Sequence, residues 1–210
     1  GHSFPTRRSS DLLLDESCVV ELDGLSQGGK KFLIPLLCLW LYFLQMASSQ
    51  RETLQFVIVV EEAHHVLHRQ PRNARESVME MLLRQCREIG IAMIIIDHHA
   101  HLLSAAATGN AYTSLCLNQK DPSDVNRAAA LSQVGEADKQ IFSQLPVGQA
   151  VVKLQDRWTR PVLIQIPAMQ IRKGAVSDQL LRTMRRIRET HSRDTRVLDR
   201  ELGRMSQIPL

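Results

Sequence analysis

Two adjacent glutamates follow an apolar run in the segment Phe56–Leu67, FVIVVEEAHHVL. The apolar run predicts a strand that is buried on both faces of a parallel sheet. Glu61 and Glu62 would then stand in the crevice where open α/β sheets bind ligands. One carboxylate can hold Mg²⁺ while its neighbour orients a water for attack on phosphorus. A strand that ends in a solvated helix start, where the helix dipole favours Glu, explains the pair equally well.

A second apolar run adds polar groups at an equivalent position. Ile91–Ile96 ends in Asp97, His98 and His99. A neighbouring parallel strand would deliver these side chains beside Glu62, where one of them can sense a γ-phosphate or position water. Polar residues end many strands, so this pattern alone is also compatible with an ordinary strand end.

Histidines are concentrated after both runs, and they suggest an alternative chemistry. Together with the two glutamates they supply enough nitrogen and oxygen for a transition metal. HExxH and the common His/Asp spacings of metal hydrolases are absent. We therefore favour helix-surface and sensor-loop histidines, and keep a His/Glu metal-dependent hydrolase as the minor alternative. The residues are His64, His65 and His68 after the first run, and His98, His99 and His101 after the second.

The stretch Gly24–Lys31 matches the spacing GxxxxGK of a phosphate-binding loop. Lys31 stands where a Ser or Thr hydroxyl would hold Mg²⁺. We favour a chance similarity and keep a degenerate phosphate loop as the alternative.

Strands and helices alternate along the chain. This order predicts an α/β fold with a mainly parallel sheet, an edge hairpin and a basic C-terminal helix. The predicted strands are 18–22, 55–60, 91–96, 111–117, 149–154 and 161–166; the predicted helices are 30–47, 74–89 and 121–133, with a helical turn over 100–109.

Composition is that of an ordinary globular chain, with 44% hydrophobic and 23% charged residues among 210. Four cysteines occur singly in apolar runs, which favours buried thiols in a reducing cytoplasm.

The apolar run Phe32–Leu44 is shorter than the roughly 20 residues of a membrane span. It predicts a buried helix with Pro35 near its first turn, and we expect no membrane span.

The two ends differ from the rest of the chain. Residues 1–12, GHSFPTRRSSDL, lack periodicity and resemble translated sequencing-adapter read-through, so we exclude them from fold reasoning and expect a missing N-terminal part. The segment 172–204 contains ten basic and five acidic residues. This predicts either contact with an anionic polymer or partner subunit, or a solvated helix face. The predicted domains are thus 13–168 and a basic extension, 169–210.

The ordered set of motifs resembles the HerA/FtsK-type hexameric ATPases, and HerA-like DNA translocases in particular. The resemblance covers about 18–167 and implies a partial RecA-like three-layer P-loop core. The matching segments are VIVVEEAHHVL, RQCREIGIAMIII, Asn110 with the strand AYTSLCL, KDPSDV and LPVGQAVV.

The resemblance also implies roles for individual residues. Glu61 falls at the Walker B position that holds Mg²⁺, where Asp is usual, and Glu62 falls at the catalytic glutamate. His98 replaces the sensor-strand Gln, and Arg87 matches the basic residue before the sensor-strand glycine. Arg84, Arg87 and Arg127 are candidates for contact with a neighbouring subunit's γ-phosphate. The resemblance places Walker A upstream of Gly24.

The implied function is ATP-driven translocation of double-stranded DNA by a hexameric ring, with ATP and Mg²⁺ as cofactors. Related proteins work beside a nuclease or other DNA-processing partner. A non-catalytic ring or scaffold component with an altered ATPase fold is the alternative. We expect the 210-residue chain by itself to be inactive.

Overall fold

A computed structural model describes residues 17–71, 73–170, 177, 179–180 and 182–184. The chain divides into two units, Gly1–Ile166 and Pro167–Leu210. The described residues of the second unit include helical positions at 179–180 and 182–184, and most of the predicted basic helix lies outside the described residues. The predicted domain limits, including the segment 1–12, remain predictions.

The first unit alternates helices with strands, as predicted. Its helices are α1 (Gln27–Met46), α2 (Val78–Gln85), α3 (Ala105–Gly109), α4 (Pro122–Ser132) and α5 (Ile141–Gln144). Its strands are β1 (Phe56–Glu61), β2 (Ile91–Ile96), β3 (Thr113–Cys116), β4 (Gln149–Leu154) and β5 (Val162–Gln165). Short 3₁₀ turns cover Ala63–His65, Cys86–Ile89 and Ala100–Leu102.

Two sheets are present among the described residues. β1 and β2 pair in parallel, while β3, β4 and β5 form an antiparallel sheet that contains the predicted hairpin. The α/β class with a parallel sheet is therefore confirmed, and the parallel pair is consistent with part of a RecA-like core. Cys18–Leu22, predicted as a strand, is irregular and pairs with no described strand.

Helices cover one face of the parallel pair. Val60 and Ile91 are buried there, in a core with side chains of α1, α2 and α3. On the other face Val57 and Val59 are 51% and 53% exposed. The prediction that β1 is buried on both faces is wrong, because no described element packs against the second face.

The apolar helix α1 is longer and more exposed than predicted. Ser26 caps it by accepting a hydrogen bond from the Gly29 amide, so the helix begins at Gln27 and Pro35 lies in its interior. Phe32 is 70% exposed, which corrects the prediction of a buried helix. By length and composition α1 would suffice to cross a membrane, a test that core helices of soluble proteins also pass, so the absence of a span remains a prediction.

Three of the four thiols are buried, as predicted, and Cys18 is exposed. Burial raises the pKa of Cys38 and of Cys86 to about 11. Both thiols therefore stay protonated at neutral pH.

A capping box starts α2 and offers a test of local stability. The Ser77 hydroxyl accepts a hydrogen bond from the Glu80 amide, and the Glu80 carboxylate accepts one from the Ser77 amide. Burial raises the pKa of Glu80, but hydrogen bonds from Ser77 and Ser104 outweigh it and leave that pKa below its ordinary value. The ionised form is therefore the one that stabilises the fold.

We expect Ser77→Ala to lower the free energy of unfolding by about 1 kcal/mol, measured by urea denaturation at neutral pH. Ser49→Ala, at an exposed serine, is the matched control and should change little. Because the folded pKa of Glu80 is depressed, its contribution is present above the unfolded pKa and is lost as pH falls through the folded pKa. An equal loss in both variants would contradict the capping role.

Candidate active site at the ends of the parallel strands

The carboxyl ends of β1 and β2 meet at one edge of the parallel pair. The register aligns Glu61 with Ile96, so the chain leaves both strands at the same level. Glu62 and the segment Asp97–His98 follow immediately. The prediction that the second strand delivers polar groups beside Glu62 agrees with this geometry.

Glu62 occupies an unusual backbone conformation. Its φ and ψ are 49° and 45°, in the left-handed region that residues with a Cβ rarely adopt. The chain turns there into the 3₁₀ segment Ala63–His65, and the Ala63 side chain is fully buried. Such a conformation costs of order 1–3 kcal/mol and is typical of functional sites. After this turn the Glu62 carboxylate lies beside His98, the second residue after β2.

Asp97 fixes the two strand ends to each other. Its side chain is 1% exposed, and one oxygen accepts hydrogen bonds from the His64 amide at 2.6 Å and His64 Nδ1 at 2.9 Å. The other oxygen accepts one from the His99 amide at 2.7 Å. Burial raises the pKa of Asp97, but these hydrogen bonds outweigh it and hold that pKa below its ordinary value. The carboxylate is thus an ionised structural anchor.

Glu62 and His98 are in direct contact. His98 Nδ1 lies 3.0 Å from Glu62 Oε2, and both side chains are about half exposed. His64 Nδ1 lies 3.6 Å from the same oxygen. The structure therefore brings the predicted catalytic glutamate and the predicted sensor residue together, with open access for a reactant.

Glu61 offers a free carboxylate at the same edge. It is exposed, and it has no hydrogen-bond or ion-pair partner among the described residues. Mg²⁺ prefers oxygen ligands and keeps several waters, so one accessible carboxylate beside the turn suits its predicted role. A carboxylate oxygen is a hard ligand, and it suits Mg²⁺ better than it suits a softer metal ion.

A groove connects this edge to the start of α1. Its lining residues include Lys30, His65, the two glutamates and the irregular segment Cys18–Asp23. Burial lowers the pKa of His65, and the nearby His64 and Lys30 lower it further. The cationic Lys30 thus faces the same space as the acids, which suits an anionic ligand.

The Gly24–Lys31 stretch is a capped helix start in this structure. Gly28, Gly29 and Lys30 belong to the first turn of α1, and the Ser26 hydroxyl takes the hydrogen bond of the Gly29 amide. A phosphate loop would leave such amides free for phosphate oxygens. This geometry agrees with a chance similarity to the phosphate-loop spacing.

The three candidate arginines do not join the acids. Arg87 lies before β2, at the amino-terminal ends of the two strands. The rise of five residues along a strand separates these ends from the carboxyl ends by about 17 Å. Arg84 pairs with Glu76 at 2.5 Å, and Arg127 donates to the Thr108 hydroxyl. The predicted cofactor role of Arg87 therefore stays a prediction, and only for the nucleotide of a neighbouring subunit.

Two residues of the site have roles that sequence reasoning missed. From the sequence, Asp97 is only one of several strand-end groups, and His64 is only one of several clustered histidines. The useful signal was their position, since each follows an apolar strand within four residues. Their partnership across 33 positions follows only from the parallel register.

No protein-family model and no curated protein matches the chain. Among solved structures, the genome packaging NTPase B204 from Sulfolobus turreted icosahedral virus 2, in complex with ATP-gammaS, is 11% identical with a TM-score of 0.45, over 53% of this chain and 52% of that one. B204, the DNA-packaging ATPase from Sulfolobus turreted icosahedral virus, is 12% identical with a TM-score of 0.49, over 66% and 64%. VirB4 of Thermoanaerobacter pseudethanolicus is 14% identical with a TM-score of 0.49, over 70% and 39%.

The chain thus spans about half the length of the first of these structures.

We expect Asp97→Asn to destabilise the fold by roughly 1–3 kcal/mol. The NH₂ group of Asn would face N–H groups that now donate hydrogen bonds to Asp97, so at least one of those hydrogen bonds would be lost. Urea denaturation at pH 7 measures the change. Asp138→Asn, at an exposed aspartate, is the matched control. Equal stability of the two variants would show that Asp97 does not anchor the strand ends.

Proposed function

We propose that this chain is the Walker B and sensor-strand part of an ATP-driven motor that translocates double-stranded DNA. The observation that carries the proposal is the contact between Glu62 and His98 at the carboxyl ends of two parallel strands. This is the place where α/β sheets bind ligands, and both residues are accessible there. The resemblance in the sequence to HerA-like translocases supplies the reaction and the substrate.

In this mechanism Glu62 polarises the water that attacks the γ-phosphate. Its backbone is left-handed, and the carboxylate is exposed enough to accept a proton from water. His98 contacts the same carboxylate, so a change at the phosphate is transmitted directly to the base. Glu61 would hold Mg²⁺, which would neutralise charge on the phosphates.

The remaining parts of the proposal concern the assembly. A hexameric ring would bring Arg84, Arg87 or Arg127 of one subunit to the nucleotide of the next. Arg87 is exposed at the opposite edge of the sheet, which suits a contact with a neighbour rather than with its own acids. We further propose a cytoplasmic location and work beside a nuclease or similar DNA-processing partner.

The decisive test is Glu62→Gln in a protein whose coding sequence extends upstream through a GxxxxGK[ST] loop. We expect ATP turnover to fall by roughly 100-fold or more, because the base is lost while the shape is kept. Nucleotide binding should persist, and turnover is measured by phosphate release with and without double-stranded DNA.

Glu52→Gln, at an exposed glutamate away from the strand ends, is the control and should keep full turnover. Unchanged turnover in Glu62→Gln would remove Glu62 from the mechanism. If the extended protein neither binds nor hydrolyses ATP, the motor proposal fails and the scaffold alternative takes its place.

The 210-residue chain alone should bind ATP weakly. The amides at the start of α1 include one already capped by Ser26, and few phosphate-binding groups remain. We expect ATP with Mg²⁺ at about 1 mM to raise its melting temperature by less than roughly 1 °C in a thermal-shift assay. A rise of several degrees that disappears in Lys30→Ala would instead identify Gly24–Lys31 as a working phosphate loop.

A further inference from the structure

A second polar cluster lies beside the acid pair but belongs to different elements. His99 and His101 follow β2, and Asp124 lies in the first turn of α4. One ligand atom from each of these side chains lies within 4.8 Å of the other two. The cluster therefore joins the loop after β2 to a helix that packs against the antiparallel sheet.

The distances suit a metal ion. His101 Nδ1 lies 2.9 Å from Asp124 Oδ1, and His99 Nδ1 lies 3.7 Å from Asp124 Oδ2. Ligand atoms around a tetrahedral ion with bonds of about 2.0–2.1 Å are separated by about 3.3 Å. The two separations, each to a different oxygen of Asp124, are within about 0.4 Å of that value. Because one ligand atom of each residue lies within 4.8 Å of the other two, side-chain rotations would bring the three groups onto one ion.

Hydrogen bonding within the protein leaves this cluster incompletely satisfied. His99 Nδ1 is buried and has no hydrogen-bond partner in the described part of the chain. Its separation from Asp124 Oδ2 is too long for a hydrogen bond. The Asp124 side chain is only 3% exposed. Its Oδ1 accepts hydrogen bonds from the His101 amide and from His101 Nδ1, each at 2.9 Å, whereas its Oδ2 accepts none from the described residues. A divalent cation would satisfy both groups together.

The other His/Asp/Glu group differs in this respect. Glu62, His64 and Asp97 also come within 4.8 Å of one another. Both oxygens of Asp97, however, already accept hydrogen bonds from N–H groups of the protein. That group is complete without an ion.

We propose that His99, His101 and Asp124 bind one divalent first-row transition-metal ion, such as Zn²⁺, with its remaining position open to water. The ion would fasten the loop after β2 to α4. His98 belongs to that loop, and its ring centroid lies 3.9 Å from that of His99. The ion would therefore hold the proposed sensor residue in place, and it is a site separate from the proposed Mg²⁺ site at Glu61.

The test uses the chain without a polyhistidine tag, stripped of metal with a chelator and free of nucleotide. Zn²⁺ is titrated by calorimetry, and Co²⁺ by its visible absorption, which reports coordination geometry. We expect one equivalent per chain and a tetrahedral Co²⁺ spectrum. Asp124→Asn and His101→Gln should each weaken Zn²⁺ binding at least tenfold, since each removes a ligand.

Two further variants keep the result interpretable. His99→Gln, on a partly exposed loop residue, should weaken binding similarly while circular dichroism confirms a folded chain. His64→Gln removes a member of the other group and should leave the Zn²⁺ affinity unchanged. The proposal is overturned if Zn²⁺ does not bind, or if His64→Gln abolishes binding while His99→Gln and Asp124→Asn do not. Because no nucleotide is involved, either result is independent of the proposed ATPase function.

Discussion

The buried carboxylate of Asp97 holds together the two turns from which the site is built. It accepts hydrogen bonds from one backbone N–H and the imidazole of His64, 33 positions away, and from the backbone N–H of His99. Charge-assisted hydrogen bonds of this kind are short and strong inside a protein. Glu62 and His98, each about half exposed, owe their proximity to this anchor rather than to their own weak surface contact.

The opposite edge of the parallel pair is fixed by backbone packing at Gly90. The Gly90 carbonyl accepts hydrogen bonds from the Gln55 and Phe56 amides. Gly90 has φ of 74°, and a Cβ there would come within 2.2 Å of the Thr53 carbonyl oxygen, so only glycine fits. The register of β1 on β2 is thus defined at both ends, by a close backbone approach at one and by a carboxylate at the other.

Local patterns predicted the elements that depend on nearby residues. The second apolar run and the strand Gln149–Leu154 have the predicted bounds, because runs of this length between turn signals identify strands well. Exposure of Val57 and Val59 could not be predicted, since the same apolar run suits either a covered or an uncovered sheet face. The pairing of His101 with Asp124 was equally inaccessible, because it depends on how α4 packs rather than on spacing.

The left-handed conformation of Glu62 sets stability against function at a single position. Glycine or asparagine adopts this conformation at lower cost, so either residue would relax the turn while removing the carboxylate. A search for stabilising substitutions would therefore select against the very side chain that the proposed chemistry requires. The turn by itself does not favour glutamate at this position, whereas the proposed chemistry requires it.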